Sequence, residues 1–124
     1  MEFRDNKAIY LQIAEYVCEH ILLGKWKAEE KVPSVRELAV ELEVNPNTVM
    51  RTYELLQNKN IINNKRGIGF FITDDAIDHV KSYRKVLFME DELPVVFRNI
   101  YLLNIGFGEL ESRYETFVKE NFNA

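Results

Sequence analysis

Residues 32–72 constrain the fold more than any other part of the chain, because helix starts and stops follow one another closely there. Ser34 is followed three residues later by Glu37, the spacing of a capping box, in which each side chain bonds the other residue's backbone amide. The apolar residues that come next recur at helical spacing, at Val35, Leu38, Ala39 and Leu42. This pattern predicts a short amphipathic helix that begins directly after Ser34.

A second helix is predicted from residue 46 to about residue 58. Asn45 is a favourable N-cap, and Pro46 fits the first helical turn, where no backbone amide hydrogen is needed. Its buried side is predicted at spacings of four and three residues, at Val49, Tyr53 and Leu56. The opposite side presents a set of mainly polar side chains to solvent or to a ligand: Asn47, Thr48, Met50, Arg51 and Glu54.

A hairpin is predicted directly after the second helix. Ile61–Ile62 and Phe70–Ile72 favour β-strands around a loop of residues 63–69, in which Gly67 and Gly69 tolerate positive φ. Two positive charges lie on this loop, at Lys65 and Arg66. Alone, such a segment is equally an ordinary hairpin with a solvated basic turn. Behind two helices and a tight turn, it indicates a winged helix-turn-helix, a unit that lays its second helix in the DNA major groove.

The rest of the chain is predicted to be helical. An apolar repeat every four positions predicts a first helix, at Ile9, Ile13, Val17 and Ile21. Residues 74–124 carry three further apolar stripes, which Pro94 and Gly106 separate. Three short helices cannot bury so many large apolar groups by themselves. We expect them either to fold back on their own domain or, as the favoured alternative, to pair with a second copy of the chain about a two-fold axis.

The predicted fold class is therefore mainly α with a small β-hairpin. Its predicted organisation is a winged helix-turn-helix DNA-binding domain over residues 1–73, followed by a short helical dimerisation region over residues 74–124. The aromatic residues between 83 and 117 leave two alternatives open: they line a cavity for an unknown small-molecule effector, or they form plain dimer core.

Three segments of the winged unit together resemble the GntR family of regulators: Pro33–Ala39, Asn45–Val49 and Arg66–Phe71. The Asn-Pro-Asn-Thr-Val sequence at residues 45–49 and the short C-terminal part resemble its YtrA subfamily. The resemblance implies a dimeric repressor that binds a palindromic operator on double-stranded DNA and often acts near transporter genes.

The chain has a formal net charge of −4, but its basic residues are unevenly placed. Residues 45–73 carry four basic side chains against the single acidic residue Glu54, whereas residues 74–124 carry six basic and ten acidic residues. This distribution favours phosphate contact by the winged unit. The predicted DNA-binding surface consists of Arg36, Asn47, Thr48, Met50, Arg51, Lys65, Arg66 and Gly67.

Two classes of function fit this sequence. The first is an operator-binding transcription regulator, and the alternative is a winged-helix protein interaction module without operator binding. Hydrogen-bonding side chains such as Asn47 and Arg51 suit base edges and phosphates, which favours the first class.

The sequence gives little support for a metal-binding protein, an enzyme or a membrane protein. His20 and His79 have no neighbours at metal-ligand spacing, and the glycines of the hairpin do not precede a helix, so we expect no metal, no cofactor and no enzyme activity. Cys18 is the only cysteine and is predicted to be a buried small hydrophobe. The sequence shows neither a secretory signal pattern nor an apolar run of membrane-spanning length, which predicts a cytoplasmic protein with no membrane partner.

Overall fold

The computed structural model describes residues 1–4 and 6–123. Its α-helices are α1 (Ile9–Leu22), α2 (Val35–Leu42), α3 (Pro46–Asn58), α4 (Ala76–Leu87), α5 (Leu93–Leu102) and α6 (Phe107–Asn121), and its strands are β1 (Ile62–Lys65) and β2 (Gly69–Ile72). A π-helical segment, Phe88–Glu92, lies between α4 and α5. The predicted fold class is confirmed, and the order of α1 to β2 is that of a winged helix-turn-helix.

Residues 1–84 form one compact unit. Within it α3 packs against both α1 and α2. Apolar side chains from these helices and from the hairpin share one core, which includes Ile13, Val17, Leu38, Val49, Tyr53, Leu56, Ile61 and Ile72. The first turns of α4 belong to this unit too, because Ala76 and Val80 are buried in the same core.

Side-chain caps fix the turn between α2 and α3. Ser34 Oγ accepts a hydrogen bond from the Glu37 amide (3.1 Å), and Glu37 Oε1 accepts one from the Ser34 amide (2.9 Å), so the predicted capping box is confirmed. Glu43 closes α2 in the left-handed region, with φ 57°. Asn45 Oδ1 then accepts from the Asn47 amide (2.8 Å) and starts α3.

The hairpin is longer than its sequence indicates. β1 and β2 pair antiparallel, with Asn63 opposite Phe71 and Lys65 opposite Gly69. The prediction that residues 63–69 form the loop is therefore wrong at both ends. Ladder hydrogen bonds and cross-strand packing outweigh the low strand propensity of asparagine, because that propensity depends strongly on context.

A further segment joins the hairpin on its other side. The Val32 amide donates to the Phe70 carbonyl and the Ile72 amide donates to the Glu30 carbonyl, both at 2.9 Å. β2 is thus hydrogen-bonded along both edges, which protects an otherwise small two-stranded ribbon. We call β1, β2 and the turn between them the wing.

The second compact unit begins at Lys85. The sequence predicts that Pro94 separates two apolar stripes, and the chain stays helical up to it: Phe88–Glu92 is π-helical, and Pro94 lies in the first turn of α5, where its missing amide hydrogen is not needed. None of the helices within residues 1–4 and 6–123 is long and apolar enough to cross a membrane. The two compact units divide between Arg84 and Lys85. This is a division by packing, and the functional boundary predicted after residue 73 stays a prediction.

Candidate nucleic-acid interface

The outer face of α3 carries the side chains that the sequence predicts for DNA contact. Asn47, Met50 and Arg51 are exposed, and Thr48 is half-buried. The opposite face is buried in the core, at Val49, Thr52, Tyr53 and Leu56. Because one face is anchored, α3 can present hydrogen-bonding groups and one thioether in a fixed orientation.

Two buried hydroxyl groups tie α3 to neighbouring segments. The Tyr53 hydroxyl donates to the Pro33 carbonyl, directly before α2 (2.7 Å). Burial raises the pKa of this hydroxyl above its ordinary value, so it remains a donor at neutral pH. Thr52 Oγ1 donates to the Tyr10 carbonyl at the start of α1 (2.7 Å). These two hydrogen bonds therefore fix α3 against the start of α1 and against the segment directly before α2.

Arg51 lies against an aromatic ring that another helix supplies. Its Cζ atom is 3.9 Å from the centroid of the Tyr10 ring, within the range of a cation–π interaction. The sequence predicts the exposure of Arg51, but it carries no local signal for this contact, because Tyr10 belongs to the first turn of α1.

Arg36 is exposed in the first turn of α2. The start of a helix carries a partial positive charge and favours anions. Arg36 thus adds a full positive charge to a turn that also carries the Glu37 carboxylate. Its contact with DNA stays a prediction.

The three residues predicted for the tip of the wing are exposed: Lys65 at the end of β1, and Arg66 and Gly67 in the turn. Lys65 Nζ lies 4.3 Å from the centroid of the Phe71 ring on β2, which keeps the ammonium group on the wing surface. Gly67 has φ 78°, a left-handed conformation that glycine adopts without strain.

Lys31 is a basic residue beside the wing that the sequence did not single out. It pairs with Phe71 in an antiparallel bridge, and its side chain crosses Gly69. A β-carbon built at Gly69, where φ is 137°, would come within 2.8 Å of Lys31 Cε. The missing side chain at Gly69 therefore makes room for this lysine.

Basic residues near the N-terminus are engaged within the chain. Arg4 Nη2 lies 3.0 Å from Glu15 Oε2, and Lys7 Nζ contacts the other oxygen of the same carboxylate. The buried Gln12 donates to the carbonyls of Arg4 and Lys7 (2.7 and 2.8 Å). These contacts hold the segment before α1 against the helix.

Three titratable groups lie outside the predicted DNA-binding residues: Cys18, His79 and Asp75. Cys18 is fully buried, as predicted, and burial raises the pKa of its thiol to about 12. His79 Nε2 lies 2.9 Å from Asp75 Oδ2, and this hydrogen bond lowers the pKa of the Asp75 carboxyl. Over residues 1–4 and 6–123, no group of three or more potential metal ligands occurs.

The same regulatory family appears in the comparisons of sequence. Residues 9–72 match the family model described as bacterial regulatory proteins, gntR family. The chain is 39% identical over 82 residues to the uncharacterized HTH-type transcriptional regulator YhcF of Bacillus subtilis, which covers 64% of this chain and 68% of that protein. It is 42% identical over 73 residues to the HTH-type transcriptional repressor YtrA of Bacillus subtilis, which covers 59% of this chain and 56% of that protein.

The chain is also similar to solved structures of regulators from the same family. A transcriptional regulator of the GntR family from Bacteroides thetaiotaomicron is 48% identical and covers 91% of this chain and 98% of its own, with a TM-score of 0.75. YtrA from Sulfolobus acidocaldarius is 25% identical and covers 100% of this chain and 98% of its own, with a TM-score of 0.53. This chain is a transcriptional regulator that belongs to the GntR family, in its YtrA subfamily, and carries that family's DNA-binding helix-turn-helix.

Proposed function

We propose that this chain is a repressor that binds a palindromic operator on double-stranded DNA as a homodimer. In this proposal α3 enters the major groove, and the wing contacts the adjacent backbone. The observation that carries the proposal is the exposed face of α3, where hydrogen-bonding side chains stand on a helix that is otherwise locked into the core.

The side chains of that face suit the edges of bases. An arginine such as Arg51 pairs with guanine through two hydrogen bonds, and an asparagine such as Asn47 pairs in the same way with adenine. Thr48 can bond to either kind of edge, and Met50 offers an apolar contact to a thymine methyl group. These four residues are the proposed readers of sequence.

The remaining predicted residues suit the phosphate backbone. Lys65 at the end of β1 and Arg66 in the turn are both exposed, and Gly67 lets the backbone there approach closely. Arg36 stands at the start of α2. Such contacts add affinity that is independent of sequence and depends on salt.

The exposed apolar residues of the second unit support a homodimer. Within residues 85–123 no side chain is buried in the single copy. The exposed apolar groups there include Val95, Val96, Phe97, Tyr101, Leu103, Phe107, Tyr114 and Phe117. Apolar surface of this extent is typical of an interface. We propose a second copy as its cover, because a two-fold dimer matches two inverted half-sites.

A groove in the second unit leaves room for the effector alternative. It has a volume of about 450 Å³ and is lined by Phe97, Ile100, Tyr101, Asn104, Ile105 and Phe107. Aromatic side chains of the partner copy would fill it in the dimer that we propose. Repression is supported by the name of the similar protein YtrA of Bacillus subtilis, a transcriptional repressor, and the resemblance to its subfamily points to transport genes among the targets.

The experiment that tests this proposal selects DNA with the purified chain from a pool of random duplexes. We expect enrichment of two inverted half-sites and binding that weakens as salt rises. Arg51→Ala should weaken binding to the selected duplex by roughly 1–3 kcal/mol. Arg113→Ala is the matched control, since this exposed arginine of α6 pairs only with Glu109 among the described residues, and it should leave binding unchanged. A pool without enriched sequence would contradict the proposal and favour the protein interaction module.

A further inference from the structure

The start of α1 supplies one wall of the proposed base-reading face. The Tyr10 ring lies under the Arg51 guanidinium, with 3.9 Å between Cζ and the ring centroid. Tyr10 is half-buried, whereas Arg51 is exposed. The contact joins two helices that meet across the core, so it belongs to tertiary packing and not to a local turn.

The backbone of Tyr10 is fixed from beneath. Its carbonyl accepts a hydrogen bond from Thr52 Oγ1 (2.7 Å), and Thr52 is fully buried. Thr52 follows Arg51 directly in α3. The residue that carries the ring and the residue that carries the guanidinium are therefore coupled twice, once through backbone and once through side chains.

We propose that Tyr10 is a positioning residue for Arg51, so that the first turn of α1 contributes to the choice of operator base. This inference rests on the proposed function above. A free arginine has many rotamers, and ordering it on DNA opposes binding. A ring contact restricts those rotamers beforehand and engages the charge of the guanidinium through the aromatic face, and arginine combines such stacking with donors aimed at a partner.

The size of the expected effect follows from the strength of such contacts. Cation–π interactions at exposed sites contribute about 0.5–1 kcal/mol, which corresponds to about a two- to fivefold change in affinity. The change should be confined to the base pair that Arg51 reads. A purely structural role for Tyr10 would weaken binding to all duplexes alike.

The first measurement uses the free protein. Nuclear magnetic resonance of the wild type should show ring-current shifts of the Arg51 side-chain protons. Tyr10→Phe, which keeps the ring, should preserve these shifts, and Tyr10→Leu, which keeps an apolar side chain without the ring, should remove them. Shifts that are absent in the wild type would overturn the proposal at once.

The second measurement uses the duplex selected by the wild type and a set of single-base variants of it. Arg51→Ala should abolish the preference at one base pair in each half-site. Tyr10→Leu should reduce that same preference about two- to fivefold, Tyr10→Phe should retain it, and the double variant Tyr10→Leu, Arg51→Ala should match Arg51→Ala alone.

Three results of the binding measurements would also overturn the inference, and they differ from one another. Equal losses on all duplexes for Tyr10→Leu would assign Tyr10 a structural role. Tighter binding by Tyr10→Leu would mean that the ring withholds Arg51 from DNA. If the wild type selects no duplex, the proposed function fails and the inference fails with it, even where the ring-current shifts are present.

Discussion

At the scale of single residues, the Tyr53 hydroxyl is committed to one partner, the Pro33 carbonyl, at 2.7 Å. We predict that Tyr53→Phe lowers the free energy of unfolding near pH 7 by about 1 kcal/mol, because one buried hydrogen bond is lost. Urea unfolding measures this directly.

The difference in stability between the wild type and Tyr53→Phe should depend on pH, and its direction can be worked out. Burial raises the pKa of Tyr53 in the folded chain above the ordinary value of 10.0. The unfolded state therefore releases the tyrosine proton first, and the wild type loses stability as pH rises above about 10. Tyr53→Phe has no such group, so the stability gap between the two proteins should shrink from pH 9 to about pH 11. A constant gap would show that Tyr53 ionises equally in both states.

Gly69 is the second residue for which a substitution has a predictable cost, because its backbone conformation suits glycine. Its φ of 137° strains any residue with a β-carbon, and Lys31 Cε occupies the space beside it. We predict that Gly69→Ala destabilises the chain by roughly 1–3 kcal/mol in thermal or urea unfolding. Gly108→Ala is the contrasting control: it lies in α6, a β-carbon there would meet no described atom within 4 Å beyond its chain neighbours and its own helix backbone, and it should be neutral or stabilise by up to about 1 kcal/mol.

At the scale of elements, helix boundaries could be predicted because they depend on chemistry within one turn. α3 begins at Pro46 and ends at Asn58, as the sequence predicts, since the Asn45 cap acts on the very next amides. Strand pairing depends on residues that are far apart along the chain. The sequence of residues 29–32 does not indicate that this segment bonds to β2. For the same reason, the loop that the sequence predicts at residues 63–69 is longer than the observed turn.

In the candidate site too, features that depend on local sequence could be predicted, whereas a contact between distant residues could not. Helical periodicity predicts that Asn47, Met50 and Arg51 face outward, and the structure confirms their exposure. The contact of Arg51 with Tyr10 could not be predicted, because it depends on how α1 packs on α3. Whether these side chains bind DNA stays a prediction.

The two basic residues of the wing lead to a prediction about how DNA affinity depends on salt. Lys65 and Arg66 stand exposed at its tip, and we expect each to neutralise one phosphate. Replacing both with alanine should weaken binding to selected and unrelated duplexes alike, and should reduce the slope of log affinity against log salt by roughly 2. Fluorescence anisotropy at several salt concentrations measures the slope. Replacing Lys81 and Lys85 of α4 with alanine provides the charge-matched control, and an equal change of slope there would rule out a specific role for the wing.

At the scale of the whole molecule, we predict that one buried charge prevents pairing of two copies. Phe97→Asp would place a carboxylate in the apolar surface of the second unit, at several kcal/mol if it stays unpaired, so the variant should be monomeric or unfold in its C-terminal part. Light scattering at micromolar concentration should give a dimeric mass for the wild type and for the control Val40→Asp, whose exposed residue lies in α2. A monomeric wild type with ordered α5 and α6 would refute the dimer.

The lack of buried side chains between residues 85 and 123 has a consequence for gene control. If two copies bury this surface in each other, ordering of this part of the chain and pairing become one event that depends on the amount of protein. While pairs are scarce, the operator-competent population grows as roughly the square of the number of chains. A modest change in synthesis or degradation is then amplified into a larger change in promoter occupancy. The abundance of the regulator would itself carry a signal, even in a cell that supplies no inducer.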